Sequence, residues 1–323
     1  MSNQPASALA SPRFCNTGTF MRIPHMTEPK DLDCAIFGIP FDTASSYRSG
    51  SRFGPAAIRS ISAMMKPNNV IMGVNILENL RGADYGDVNV TPGYIHPTYE
   101  AIEKELQPIV DAGIIPIGLG GDHSIAAGSI AATSKHYGNI GIIWIDAHGD
   151  WNDDKSSPSG NMHGMPFSAA CGHGPDCMVN FGQGPVYVDP KHCVQIGGRD
   201  IDSIERIRMK EAGVTVFPIN EVDKLGMSEV IRRAIEIAGS ETEGIHLSFD
   251  VDAITPEAAP GTGTIVHSGL TVREAFLAVE TLSESGKLLA VDMVEVNPIL
   301  DVKNQTAVLA SELVQSCFGK VVY

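Results

Sequence analysis

The sequence predicts an α/β fold, a single domain built on a parallel sheet with helices on both faces. Three observations lead there. Seven apolar segments of strand length recur along the chain, most of them followed by a helical stretch. These segments are apolar throughout rather than alternating, as strands covered on both faces are. Three of them end in closely spaced Asp and His residues, at the edge where open parallel sheets gather their ligands.

Residues 1–31 read as an irregular N-terminal arm ahead of one domain spanning 32–323. LDCAIFGIP (32–40) is the first buried strand. RFGPAAIRSISAMM (52–65) is a helix with Pro55 near its start, where a missing N–H is tolerated. YEAIEKELQPIVDAG (99–113) is an amphipathic helix that stops at Gly113. IIPIGLGG (114–121) is a strand entering a glycine loop, followed by the helix SIAAGSIAATSKHY (124–137) and the strand NIGIIWIDAH (139–148). HCVQIGGRD (192–200) and VTVFPI (214–219) are strands around the helix IDSIERIRMKEAG (201–213). After the helix MSEVIRRAIEIAG (227–239), the strands GIHLSFDVD (244–252) and KLLAVDMVEVNP (287–298) flank the helix TVREAFLAVETLSESG (271–286). NQTAVLASELVQSCFG (304–319) is the last helix. No long linker, low-complexity tract or internal repeat divides the chain.

Composition narrows the function. With 43% hydrophobic and 19% charged residues among 323, the chain carries enough apolar surface for a packed core. A net charge of -15 without a Lys/Arg run argues against nucleic acid as a partner. It accords weakly with cationic ligands. None of the six cysteines forms a CxxC pair, so a thiolate zinc site is not expected. The opening MSNQPASALASPRF is polar and no apolar run approaches the roughly eighteen residues of a membrane span, so a cytoplasmic protein with free thiols is expected.

The chemistry lies at the strand ends. IGLGGDHS ends with Asp122 and His123, IIWIDAHGD with Asp146, His148 and Asp150, and IHLSFDVD with Asp250 and Asp252. One such residue is often a cap or a loop hydrogen-bonder. Three apolar strands that converge with this many carboxylates would repel one another and be costly to desolvate unless cations were bound. Residues two apart on extended chain face the same side, so D-x-H-x-D and D-x-D aim at common points. Four carboxylates and two imidazoles without sulfur suit Mn²⁺, and Ni²⁺ accepts the same ligands. Two such ions sharing a water lower its pKa towards neutrality and yield a hydroxide nucleophile.

GGDHS, DAHGD and SFDVDAITP resemble the three signature motifs of the ureohydrolase family: arginases, agmatinases, guanidinobutyrases, proclavaminate amidinohydrolase and their relatives. The likeness runs from about Leu32 to Tyr323. It implies a three-layer α/β/α fold around an eight-stranded parallel sheet, two Mn²⁺ per subunit and hydrolysis of a guanidino compound to urea and an amine. It also implies a homotrimer or homohexamer. The implied metal ligands are His123, Asp146, His148, Asp150, Asp250 and Asp252, with Asp150 also orienting the hydroxide. His163 is the implied proton shuttle and Glu295 the implied guanidinium holder.

For the substrate's tail the resemblance points two ways. Asn152 and Ser159 match arginase residues that receive an α-carboxylate, and Asp202 in RDIDSIE matches the acid that meets the α-amino group. TFMRIPH (19–25) and FDTASSYRSGSRFGPAAIR (41–59) instead resemble guanidinobutyrase and proclavaminate amidinohydrolase. Trp151 narrows the pocket, stacks on a cation or simply packs; the residues alone do not choose. Arginine, agmatine and guanidinobutyrate are therefore all candidate substrates. Alternatives are a hydrolase of guanidine or N-alkylguanidines, a one-zinc amide hydrolase of the histone-deacetylase type, and a non-catalytic partner subunit.

Overall fold

In the computed structural model, which describes residues 11–15, 18–182 and 184–322, eight parallel strands form one sheet. In chain order they are β1 (Cys34–Ile39), β2 (Gly82–Asp87), β3 (Ile115–Gly120), β4 (Gly141–Ile145), β5 (Cys193–Ile196), β6 (Thr215–Phe217), β7 (Ile245–Asp250) and β8 (Leu288–Val294). Their spatial order is β2-β1-β3-β8-β7-β4-β5-β6. Strands far apart in sequence thus become neighbours: β3, β8, β7 and β4 lie side by side at the centre. Met293 pairs with Leu119, Val294 with Asp250, and Ile145 with Phe249. That register brings the carboxyl ends of all four central strands to one level.

Successive residues of each strand point to opposite faces, and both faces are covered. Ile36, Ile117, Ile143, Leu247 and Val291 pack under the helices α1 (Gly54–Ser62), α5 (Met227–Ala238), α6 (Val272–Glu284) and α7 (Gln305–Cys317). Ala35, Phe37, Ile39, Ile142 and Trp144 face α2 (Ile95–Asp111), α3 (Ala126–Tyr137) and α4 (Ser203–Ala212). This is the three-layer α/β/α arrangement.

Several elements depart from the sequence reading. β2, with the sequence GADYGD, lacks the apolar run that marks its neighbours. It is held by polar contacts instead: the Arg59 guanidinium binds both oxygens of the buried Asp84, at 2.9 and 3.0 Å. α2 begins at Ile95, four residues before the expected start, because Pro97 falls in its first turn and is tolerated there. β5 ends at Ile196 rather than Asp200, since Gly197 turns the chain with φ of +92°. Of the N-terminal arm, residues 1–10 and 16–17 lie outside the described residues. Phe20, Met21 and Ile23 are buried in the core, and Phe20 N–H donates to Asp84 Oδ2 at 2.7 Å.

Candidate active site

The carboxyl ends of β3, β4, β7 and β8 meet around a polar cavity of about 180 Å³. The glycine after β3 is required there: a Cβ on Gly121 would lie 1.8 Å from the Phe41 carbonyl oxygen. Asp122 then caps the turn, accepting from Ser124 N at 3.1 Å and from Ala44 N at 2.9 Å. His123 follows, 1% exposed.

His123 Nδ1 stands 3.0 Å from Asp146 Oδ2, 3.1 Å from Asp150 Oδ2 and 3.3 Å from Asp250 Oδ2. Yet it is a buried atom without a hydrogen-bond partner among the described residues. Lone pairs converging on one point, rather than on each other, are what a cation requires. A second group forms beside the first: His148 Nδ1 is 3.2 Å from Asp146 Oδ1 and 3.1 Å from Asp252 Oδ2. Asp146 therefore serves both groups, one oxygen to each. His123, Asp146 and Asp250, and Asp146, His148 and Asp252, form two sets able to hold metal ions. Asp150 falls outside both sets but borders the first. An oxygen-rich, sulfur-free set of this kind fits hard or borderline dications such as manganese.

Neighbouring groups fix these ligands. His123 Nε2 meets Ser248 Oγ at 2.8 Å, which selects the nitrogen aimed at the cluster. The Trp144 ring stacks on His123 with centroids 4.0 Å apart, and its Nε1 donates to Asp146 Oδ2 at 3.0 Å. Gln195 Nε2 donates to the carbonyls of Asp146 and His148 at 2.9 and 3.0 Å. Thr264 Oγ1 donates to Asp252 Oδ2 at 3.1 Å. Asp150 and Glu295 adopt positive φ values of +49° and +64°, a backbone conformation costly for residues with side chains and concentrated at functional sites.

Electrostatics reflect the crowding. Burial, then the charge of Asp146, raises Asp150 to about 6. Burial and the neighbouring Asp252 hold Asp250 well above the usual carboxylate range. Burial also pushes Asp146 up, but the neighbouring His123 and His148 imidazoles outweigh it and leave Asp146 lowered. Burial disfavours charge on His123 and His148, and the carboxylates around them still hold both well above the ordinary histidine value.

His163 lies at the cavity wall, its Nδ1 3.1 Å from Glu295 Oε1 and its Nε2 2.6 Å from Ser46 Oγ. Burial lowers its basicity, and Glu295 more than compensates, taking it to about 9. Glu295 lies beneath His163 rather than among the lining residues; its Oε1 also accepts from His123 N at 3.0 Å.

The sequence-expected Asn152, Ser159 and Asp202 all line the cavity. Asn152 Nδ2 donates to Asp202 Oδ2 at 3.2 Å. Trp151 does not line it. The ring is 1% exposed and packs edge-on against Phe167, 4.9 Å between centroids. Of the three readings open for Trp151, the structure corrects the substrate-contact ones in favour of packing. The chain turns at Asp150 with φ of +49°, Glu205 holds Trp151 N at 2.7 Å, and the ring is directed into the core.

The cavity also contains residues that the sequence reading missed: Ser46, Ser157, Asn161, Asp200, Glu205 and Thr264. Ser157 and Asn161 sit in the same loop as Ser159. Asp200 and Asp202 flank one residue in RDID. Glu205 accepts from Trp151 N at 2.7 Å and from Asp202 N at 3.1 Å, joining the end of the Asp146–Asp150 run to the start of α4. Gly149 permits that approach, since a Cβ there would meet the Glu205 carboxylate at 2.6 Å. Burial raises Glu205 to about 7.

Known proteins resemble this chain in sequence and fold. A sequence model of the Arginase family matches residues 32–319. An arginase of Brevibacillus brevis is 41% identical over 298 residues, covering 88% of this chain and 97% of that protein. The solved arginase of Bacillus caldovelox superposes with a TM-score of 0.83 at 36% identity, over 90% of this chain and 100% of that one. Proclavaminate amidino hydrolase of Streptomyces clavuligerus does so with a TM-score of 0.83 at 29% identity, over 96% and 98% of the two chains. The chain belongs to the arginase family and is a metal-dependent ureohydrolase, an enzyme that cleaves C–N bonds of linear amidines.

Proposed function

We propose that the enzyme hydrolyses L-arginine, or a guanidino amino acid closely like it, to urea and the corresponding amine. The observation that carries this is the make-up of the cavity away from the metal ligands. Asp200 and Asp202 stand there beside Asn152, Ser157, Ser159 and Asn161. Acids complement an α-ammonium group, and amide and hydroxyl donors complement an α-carboxylate. An amine tail such as agmatine's leaves the donors unused; a carboxylate-only tail such as guanidinobutyrate's leaves two acids unpaired. The relatives named arginase, at 38–41% identity, support the same choice.

Two manganese ions are the proposed occupants, held by His123, Asp146, His148, Asp150, Asp250 and Asp252. When bound, they supply Lewis-acid activation of water at neutral pH. The protein's own groups do the rest. Asp150 orients the attacking oxygen, and the Glu295 carboxylate holds positive charge at the guanidinium and at His163. His163, protonated at neutral pH with Nδ1 on Glu295, passes a proton to the amine as its C–N bond breaks. A cytoplasmic homotrimer or homohexamer is the proposed setting. The described cysteines are all free, as in a reducing compartment.

Urea release from arginine, agmatine, 4-guanidinobutyrate, 3-guanidinopropionate, guanidine and methylguanidines, each with Mn²⁺ and with Ni²⁺, tests the assignment. Arginine is expected to give the highest kcat/KM, and a preference for any tail-less guanidine contradicts it. Asn152→Ala is expected to raise the KM for arginine about tenfold, the value of one hydrogen bond to a charged group. An unchanged KM removes Asn152 from tail recognition.

The buried acids add a pH-dependent result. Without metal, Asp150 at about 6 and Asp122 at about 7 bind protons in the folded state that the unfolded chain releases near pH 4. The raised histidines act in the same sense above about pH 6.5, where the unfolded chain has released their protons. Stability of the metal-free protein therefore falls as pH rises from about 4 to about 7. Asp146, held low, works the other way only below about pH 4. A dication displaces those protons, so the gain in Tm on adding Mn²⁺ is expected to be larger at about pH 8 than at about pH 5.5. Equal gains at both pH values, measured by differential scanning fluorimetry, contradict metal binding at this cluster.

A further inference from the structure

The tail end of the cavity depends on which way the Asn152 amide points, and groups outside the cavity help to hold it. Ser156 Oγ accepts from Asp153 N at 3.0 Å and from Arg208 Nη1 at 2.6 Å. Both its lone pairs are then used, and its single proton goes to Asn152 Oδ1 at 3.0 Å. With Ser156 on the oxygen side and Asp202 Oδ2 on the Nδ2 side, the amide is held in one orientation, and its second Nδ2 hydrogen remains for a ligand. Arg208 is itself fixed. Its Nη2 donates to Asp153 Oδ2 at 2.6 Å, while Asp153 Oδ1 accepts from Lys155 N and Ser156 N at 3.0 and 2.8 Å. The guanidinium, the turn it grips and the Ser156 hydroxyl form one unit.

That unit sits on the helix that also anchors the other side of the site. Glu205 is one turn before Arg208 on α4, and its carboxylate takes the backbone N–H groups of Trp151 and Asp202. Residues three apart share a helix face, so α4 grips the Asp150–Ser157 segment twice.

We propose that Arg208, acting through Ser156, works with Asp202 to hold Asn152 in place as a hydrogen-bond donor and so makes the site select guanidino compounds that carry a carboxylate on the tail. The proposal rests on the reading of the enzyme as an arginine hydrolase. Arg208 and Ser156 are positioning residues; neither lines the cavity. Losing the Ser156 hydroxyl leaves Asn152 Oδ1 without that donor and the amide held from the Asp202 side alone, so its N–H is no longer firmly aimed at the substrate carboxylate.

The test compares Ser156→Ala and Arg208→Met with the wild type in three readouts: the KM and kcat for L-arginine, and the inhibition constant of agmatine as a competitor lacking the carboxylate. Both variants are expected to raise the KM for arginine about tenfold, with kcat reduced less than threefold and agmatine binding within twofold of wild type. Ser156→Thr, which keeps the hydroxyl, is expected to restore the wild-type KM. Equal weakening of arginine and agmatine, or an unchanged KM in folded Ser156→Ala, overturns the proposal. A wild type that favours agmatine over arginine overturns the functional reading as well, so the two failures are distinguishable.

Discussion

Asp146→Asn is expected to lower kcat/KM for L-arginine by about 10³-fold, equivalent to roughly 4 kcal/mol of transition-state stabilisation. No other carboxylate in the site contributes to both metal-binding groups. Its Oδ2 is 3.0 Å from His123 Nδ1 and its Oδ1 3.2 Å from His148 Nδ1. An amide replaces one oxygen by a donor. Whichever side receives the NH₂ then faces existing donors: Trp144 Nε1 at Oδ2, or His148 N at 2.7 Å from Oδ1. Bound metal per chain should fall together with urea release, while circular dichroism reports an unchanged fold. A variant with full metal content and wild-type turnover contradicts the bridging role.

The second large effect is expected at His163. Replacement by Ala removes the group proposed to protonate the departing amine, and kcat is expected to fall about 10²- to 10³-fold with KM changed little. Metal content should stay at the wild-type level, because Glu295 still accepts from His123 N. Added imidazole should recover part of the rate, since the vacated space adjoins the open cavity. A kcat within twofold of wild type in steady-state urea assays assigns the proton transfer elsewhere.

The metal ligands were legible in the sequence because their geometry is local. The spacing expected of extended chain is met by tight turns instead: β4 ends at Ile145 and β7 at Asp250, and Asp146 and Asp250 accept from the backbone N–H two residues on, which brings each next ligand back beside the first. The sheet order then brings β3, β4 and β7 together. Glu205, Asp200 and Thr264 had no such signal. Each lies in an ordinary polar stretch and reaches the cavity only because β5 lies beside β4 and β4 beside β7. β2 was missed for a related reason. Glycine and aspartate are poor strand formers, and this edge strand is held by the Arg59 ion pair and the Phe20 segment rather than by apolar residues of its own. Trp151 shows the converse: a large aromatic beside three ligands left substrate contact and packing both open, and the turn at Asp150 sends it inward. The orientation of Asn152 is a still longer-range property, since its partners Asp202 and, through Ser156, Arg208 are 50 and 56 positions away in the chain.

The most direct measurement is the number of manganese ions bound per chain, by mass spectrometry of the metal-loaded protein after dialysis. Two ions per chain are expected, one beside His123 and Asp250 and one beside His148 and Asp252, with Asp146 between them. A single tightly held zinc, with no second site filled by excess manganese, contradicts the binuclear site and with it the proposed chemistry.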